Sequence, residues 1–374
     1  MNTIFLMQDT AAVYGAERAT LDLASGLARR GVNAHVLLIH EERLQLADNR
    51  LQTELTKRGL PFSLVHTDRA FSWKLARDIR RRLVELEADV LQTVGYKADL
   101  HAWLAAGRRV VLVAAVHGWL FRPDLKERFY GWLDVRVLRR FARVIVLSRH
   151  YADLVVRQGV AAHRVVRIPS GLDLKHLVSA EVAESLYRTP RLFTVGMLGR
   201  LSWEKNHGMF LEAMRLLRER GVEVRGLIAG EGPERARIEQ AVNAMGLGDA
   251  VKLEGYMDSS RFFEQVHALA LCSRVENLPY SVLEAMSWCR PVLATRVGGL
   301  PDLVEDARTG FLVPPDDAAA LADALTSLAN QPARALELGR AGRQRLETHF
   351  SLDRTVESHI DLYTSLASTK NVPD

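Results

Sequence analysis

The chain has 374 residues, 48% hydrophobic and 25% charged, which excludes a disordered or low-complexity protein and predicts two globular domains. Two cysteines, Cys272 and Cys289, exclude a disulfide framework and fit a reducing compartment. The formal net charge of +5 hides an asymmetry: residues 1–170 carry 27 Lys+Arg against 17 Asp+Glu, and the remainder 23 against 28, so the halves stand at +10 and −5.

The chain opens on a strand-like run, Met1–Met7, with no basic leader, so no signal peptide is expected. No stretch approaches the roughly 18 apolar residues of a membrane span. Strand-like runs follow at Ile4–Met7, His35–Ile39, Val110–Val116 and Val144–Leu147. Helix-like stretches lie between and after them at Glu17–Arg30, Trp73–Glu87, Asp124–Phe141 and Ser148–Gln158. The alternation predicts a parallel sheet with helices on both faces. It stops near Ile168–Asp173, and the polar residues 174–190 read as an interdomain connection. It resumes with strands at Leu192–Leu198, Val222–Ala229, Val251–Leu253, Ala268–Cys272 and Val292–Ala294. Helices are expected at His207–Arg220 and Glu234–Met245, and almost continuously from Asp316.

The expected architecture is therefore α/β, with two Rossmann-like, doubly wound parallel-sheet domains facing a central cleft. In such sheets ligands bind outside the carboxyl ends of the strands. The basic half carries Arg29-Arg30, Arg80-Arg81-Arg82, Arg108-Arg109 and Arg139-Arg140. Either an anionic surface faces this half or these are solvated helix faces. Nucleic acid is the less favoured partner, because no aromatic-basic recognition motif is present.

The segment Ser273–Met286 follows an expected strand and opens a helix, with Glu276 and Glu284 flanking seven residues. A helix N-terminus suits a diphosphate, and a carboxylate accepts two hydroxyl hydrogen bonds of a ribose or pyranose. On spacing alone, a solvated acidic loop explains the pair better. Gly199-Arg200-Leu-Ser-Trp-Glu-Lys205 places two cations in a strand-to-helix loop, where they could converge on one diphosphate or stand exposed, one paired with Glu204. Tyr14-Gly15-Ala16-Glu17-Arg18 follows the first strand, where a glycine lets backbone approach a phosphate or simply eases a turn. His117 ends the strand Val110–Val116. Gly230-Glu-Gly232 is a weak dinucleotide signal. There is no Asp-x-Asp, and the cysteines and histidines lack zinc spacing, so no metal site is expected.

The run Glu276–Gly299 resembles the family-4 retaining glycosyltransferases of the GT-B fold, in which two glutamates separated by seven residues mark the donor site. The resemblance also takes in Tyr14–Arg18, Ile168–Asp173, Gly199–Lys205 and Thr309–Pro314, nearly the full chain. It implies that Glu276 binds donor-sugar hydroxyls with help from Asn277 and Leu278, and that Glu284 binds the ribose. It implies that Arg200 and Lys205 bind the diphosphate in place of a metal, and that Gly15, Tyr256 and Leu283 join the donor site, Tyr256 near the base. His117 would lie beside the donor sugar, without being a general base. Asn277, Ala16 and Cys289 stand where the family commonly has glycine.

The resemblance implies residues 1–175 as the acceptor-side domain, 176–190 as linker and 191–350 as the donor domain, with 351–374 packing back on the first. The expected function is retaining transfer of a hexosyl or N-acetylhexosaminyl group from a nucleotide-diphosphate sugar, UDP rather than GDP, to a glycan or lipid-linked glycan in envelope polysaccharide or glycolipid synthesis. No cofactor is expected. The expected location is the cytoplasm, or the inner face of an anionic membrane met through the basic domain. A sugar-nucleotide epimerase, a phosphorylase and a non-catalytic nucleotide-sugar-binding subunit stay open as alternatives.

Overall fold

A computed structural model describes residues 1–44, 49–69, 71–107, 109–118, 125–188 and 192–368. The chain divides into two compact units, Met1–Gly171 joined by the segment from Leu352, and Leu172–Ser351.

The first unit runs β1 (Asn2–Gln8), α1 (Gly15–Arg29), β2 (Asn33–Glu41), α2 (Arg50–Lys57), β3 (Phe62–Thr67), α3 (Trp73–Glu85), β4 (Val90–Val94), α4 (Tyr96–Ala105), β5 (Val111–Val116), α5 (Leu125–Leu138), β6 (Arg143–Val146), α6 (Arg149–Arg157) and β7 (Val165–Arg167). Its sheet is parallel throughout, in the order β3-β2-β1-β4-β5-β6-β7. The centre of β1 is buried on both faces, as a strand covered by helices on each side must be.

The second unit opens with α7 (Ala180–Arg188) and continues β8 (Phe193–Leu198), α8 (His207–Glu219), β9 (Val224–Ala229), α9 (Arg235–Ala244), β10 (Val251–Glu254), α10 (Ser259–Phe263), β11 (Ala268–Leu271), α11 (Tyr280–Ser287), β12 (Val292–Thr295), α12 (Leu300–Leu303), β13 (Gly310–Val313), α13 (Ala318–Asn330) and α14 (Pro332–His349). Its parallel sheet has the order β10-β9-β8-β11-β12-β13.

The stretch expected as a linker differs from expectation over most of its length. Residues 180–188 form α7, with Ala183 at 0% exposure. Glu184 grips Arg340 of α14 through two hydrogen bonds of 2.7 and 2.6 Å, and the fully buried Arg290 donates to the Ala183 carbonyl at 2.5 Å. These partners lie over a hundred residues away, so local polarity alone reads as connection.

Strand β4 was hidden for a related reason. Gln92 and Thr93 interrupt its apolar run, yet both are buried. Burying an amide requires a partner. Gln92 finds one in Tyr363, whose hydroxyl donates to Gln92 Oε1 at 2.5 Å. Tyr363 lies on α15 (Leu352–Ser368), the helix that ends the first unit. The same helix packs on α1, where a Cβ on Gly26 would fall 2.3 Å from Val356 Cγ2. Thr355 Oγ1 donates to the Pro169 carbonyl at 2.9 Å, and Arg30 pairs with Asp353 and Glu357 at 3.3 and 3.2 Å.

Tyr363→Phe therefore strands Gln92 without its buried donor. An unsatisfied buried acceptor costs about 1–3 kcal/mol. Thermal and urea unfolding should show the first unit's transition shifted down by that amount. An unshifted transition would mean that the hydroxyl does not hold α15 on the sheet.

Candidate functional site

In both sheets the strand order reverses beside the first strand of the unit. The chain winds one way from β8 to β9 and β10, then crosses to β11, β12 and β13. The loops that leave β8 and β11 thus diverge and open a crevice at their carboxyl ends.

The loop after β8 is held by backbone. Gly199 (φ +147°) donates to the Ala229 carbonyl at 3.0 Å, and Leu201 donates to the Glu231 carbonyl at 2.9 Å. A Cβ on Gly230 would lie 1.8 Å from Gly199 O, and one on Gly232 would lie 2.2 Å from Leu201 O. Gly230-Glu-Gly232 is therefore a brace for the Arg200 loop, and its glycines are needed for backbone contact inside the protein. A short 3-10 turn, Trp203–Lys205, and the left-handed Asn206 (φ +51°) then deliver the chain into α8.

The loop after β11 is tied from the other side. Thr295 Oγ1 donates to the Ser273 carbonyl at 2.6 Å, and Ser273 Oγ donates to Glu276 Oε2 at 3.1 Å. Gly298 (φ +51°) sits so close to this loop that a Cβ would lie 1.8 Å from Glu276 O. The glycine pair 298–299 thus fixes the path of Glu276, and Gly299 donates to its carbonyl at 3.3 Å.

Across the crevice, Lys205 Nζ meets Glu276 Oε2 at 2.5 Å, with both side chains mostly buried (19% and 14% exposed). The expected candidates Lys205 and Glu276 are thus in direct contact, 71 residues apart in sequence. Glu204 accepts from Ser202 Oγ at 2.5 Å. Burial pushes the Glu204 carboxyl up, but the Ser202 hydroxyl, its own backbone, Lys205 and Arg200 together hold it below its usual range. A second strap runs alongside: Arg274 lies 5.3 Å over the Trp203 ring and reaches Asp316 at 3.1 Å, while Asn206 donates to Asp316 at 2.8 Å. His207, at the start of α8, is held neutral, its pKa lowered to about 4 by burial and by Lys205.

The other candidates of this unit lie around the pair. Arg200 is exposed on the same loop as Lys205. Asn277 and Leu278 are each 6% exposed beside Glu276, and Glu284 is 8% exposed on α11. Leu283 has a fully buried side chain, so only its backbone is open to a ligand role. Tyr256 stands 79% exposed after β10. Cys289 and Cys272 are buried thiols whose pKa values burial raises, Cys272 to about 12, which suits packing and not nucleophilic chemistry.

The first unit holds a cavity of about 230 Å³ at its own reversal point, between the ends of β1 and β4. His117 lines it with Gln8, Glu17, Tyr96, Asp99 and Asp134. Burial, and secondarily the charge of His359, lower the His117 pKa to about 4, so the ring is neutral at physiological pH. The Asp99 carboxyl is raised well above the usual carboxylate range, by burial first and then by Asp134 beside it. Gly15 opens α1 without a left-handed φ and with open space where a Cβ would sit. Its expected steric necessity is therefore absent within this unit. Glu17 caps the helix by accepting from the Tyr14 amide at 3.0 Å. Sequence reasoning missed Asp99, Asp134, Ser273 and Gly298. Nothing in their local pattern separates the two aspartates from ordinary helix carboxylates, whereas Gly298 lay inside the matched run and could have been read as a close approach.

Residues 13–176 match the family described as Glycosyltransferase Family 4, and residues 192–331 match Glycosyl transferases group 1. The alpha-D-kanosaminyltransferase of Streptomyces kanamyceticus is 32% identical over 211 residues, 54% of this chain and 54% of that protein. The O-antigen chain mannosyltransferase C of Escherichia coli is 23% identical over 96% of both chains. The chain thus spans about half the length of the first relative and nearly all of the second. The crystal structure of Anabaena HepE in complex with UDP and glucose superposes with a TM-score of 0.83 at 22% identity, covering 98% of this chain and 100% of that one. Sucrose-phosphate synthase from Thermosynechococcus elongatus superposes at 0.80 with 21% identity, covering 99% and 100%. With family matches over both halves, and two parallel-sheet units that superpose on these neighbours, the chain belongs to the family-4 type of GT-B glycosyltransferases.

Proposed function

We propose that the protein is a retaining glycosyltransferase that moves a hexosyl or N-acetylhexosaminyl group from a nucleotide-diphosphate sugar, UDP rather than GDP, onto a glycan or lipid-linked glycan. The setting is envelope polysaccharide or glycolipid synthesis at the cytoplasmic face of an anionic membrane. The observation that carries this reading is the Lys205–Glu276 contact across the crevice of the second unit. One group of the pair suits a diphosphate and the other suits sugar hydroxyls, so side by side they suit the junction of a sugar and its phosphate. The binding of UDP and glucose by HepE supports the same class of donor.

On donor binding, the β-phosphate draws Lys205 Nζ and Arg200, and Glu276 turns its freed oxygens to the sugar. Glu284 accepts from the ribose hydroxyls, and Tyr256 lies along the base. As the bond from C1 to the diphosphate oxygen breaks, negative charge builds on the departing nucleoside diphosphate. Fixed cations stabilise that charge with little reorganisation. The acceptor oxygen bonds to C1 on the face the diphosphate leaves, and its proton passes to the leaving phosphate oxygen. Arg200 and Lys205 fill the role that a divalent ion holds in transferases with Asp-x-Asp, a motif this chain lacks.

Lys205→Ala should lower kcat by about 10²–10³ while changing donor KM little, since the cation acts most on the transition state. Arg200→Lys should recover only part of the wild-type rate, because an ammonium lacks the planar fork of guanidinium. Steady-state kinetics with the donor measure both. Near-wild-type kcat in each variant would move the leaving-group role elsewhere.

Glu284→Ala should weaken UDP binding in calorimetry, whereas Glu276→Gln should leave UDP affinity close to wild type and depress transfer. Equal UDP affinity for wild type and Glu284→Ala would remove the ribose role.

Donor turnover, as transfer or slow hydrolysis, should persist in excess chelator. Loss of turnover that magnesium or manganese restores would overturn the metal-independent reading.

A further inference from the structure

Helix α3 packs its Leu75, Ala76, Ile79 and Leu83 side inward. Its outer side is unusual. At 3.6 residues per turn, Trp73, Arg77, Arg80 and Val84 fall within about 60° of one another and form a stripe about 16 Å long. Trp73 is 67% exposed and Val84 73% exposed. Arg77 and Arg80 are exposed, as is Lys74 on the stripe's flank. The helix acids lie off the stripe, where Asp78 and Glu85 engage Arg81 at 3.5 and 3.8 Å, and Glu85 also holds Arg82 at 2.9 Å. Among the described residues, Lys74, Arg77 and Arg80 make no ion pair.

The start of the stripe is fixed in place. Ser72 Oγ caps the helix by accepting from the Leu75 amide at 3.4 Å, and the Ser72 amide donates to His101 Nε2 at 3.3 Å. The Phe71 ring, 43% exposed, meets Trp73 edge-on at 5.5 Å. Phe71 also lines a small cavity with Tyr96, Leu100 and Leu133. That cavity shares Tyr96 and Asp134 with the larger one at the sheet's reversal point. The aromatic start of the stripe, through Phe71, therefore borders a cavity that shares lining residues with the polar pocket of the same unit.

We propose that the outer stripe of α3 is a membrane-docking surface. Trp73 and Phe71 enter the headgroup layer, and Arg77, Arg80 and Lys74 bind anionic phospholipid. The occupant follows from charge and side-chain type. This half of the chain stands at +10, and interfacial tryptophan with unpaired basic residues fits a wet, anionic boundary with an apolar interior. The proposal rests on the reading of a membrane-borne acceptor and assigns the surface that meets it.

The test is sedimentation of the full chain with vesicles of equimolar phosphatidylglycerol and phosphatidylcholine, and with vesicles of phosphatidylcholine alone. Wild type should pellet with the anionic vesicles and be released by salt. Each reversed cation should weaken binding by about fivefold or more. Arg77→Glu with Arg80→Glu should therefore lower it well over tenfold, with an unchanged melting temperature because both side chains are exposed. Tryptophan emission should shift to the blue on anionic vesicles, and Trp73→Phe should remove that shift. If the double reversal binds like wild type, α3 is not the surface, although membrane association stands. If wild type binds neither vesicle, the membrane reading itself falls. Loss of binding in the double reversal with an emission shift that survives Trp73→Phe would leave a general polyanion site on α3 and overturn insertion.

Discussion

The arrangement of this protein follows from one topological constraint, the reversal of strand order beside the first strand of each parallel sheet. A parallel sheet needs a crossover after every strand, and each crossover here is a helix. Where winding reverses, two neighbouring strands send their chains in opposite directions and no helix covers the gap between them. In the second unit that gap lies between β8 and β11, and in the first between β1 and β4. The ion pair of Lys205 with Glu276 occupies the one, and the cavity lined by His117, Asp99 and Asp134 occupies the other.

Charge placed in such gaps is expensive unless it is paired, because the surrounding strands are apolar. The protein meets this requirement with different chemistry in each unit. In the second, Lys205 neutralises Glu276 and Ser273 satisfies the same oxygen, so two ionised groups wait at low cost. In the first, burial and the neighbouring Asp134 raise the Asp99 carboxyl, which favours its neutral form, and a further buried pair, Lys97 with Glu41, lies close by at 2.5 Å. The loops that hold the pair are braced by backbone, with Gly230, Gly232 and Gly298 at distances no side chain would tolerate. These close backbone approaches fix the positions of the two groups relative to one another.

Helix α15 shows how the ends of the chain secure the first unit. Its Tyr363 satisfies Gln92 in the middle of β4, its Val356 fills the space left by Gly26, and its Thr355 bonds Pro169. Three contacts from one helix thus reach the sheet centre, the first helix and the end of the first half. The same element that closes the chain also makes β4 tenable as a buried strand with polar residues.

The sequence by itself determined the class of the fold. Apolar runs such as Ile4–Met7 and Leu192–Leu198, spaced by amphipathic stretches, require strands covered on both faces and helices to cover them. It also marked Arg200, Lys205 and Glu276 in strand-to-helix loops, and Glu284 on the helix that follows, because they lie in runs that resemble a known family. Tertiary structure alone decided the rest. The partner of Lys205 is 71 residues away, the partner of Gln92 is 271 residues away, and the partner of Glu184 is 156 residues away. Local pattern therefore passed over β4 and read α7 as part of a linker. Asp99 looked like any carboxylate in the first turn of a helix until the fold brought Asp134 beside it. Periodicity reports which face of an element is buried, but it carries no information about which distant polar group will satisfy a buried one.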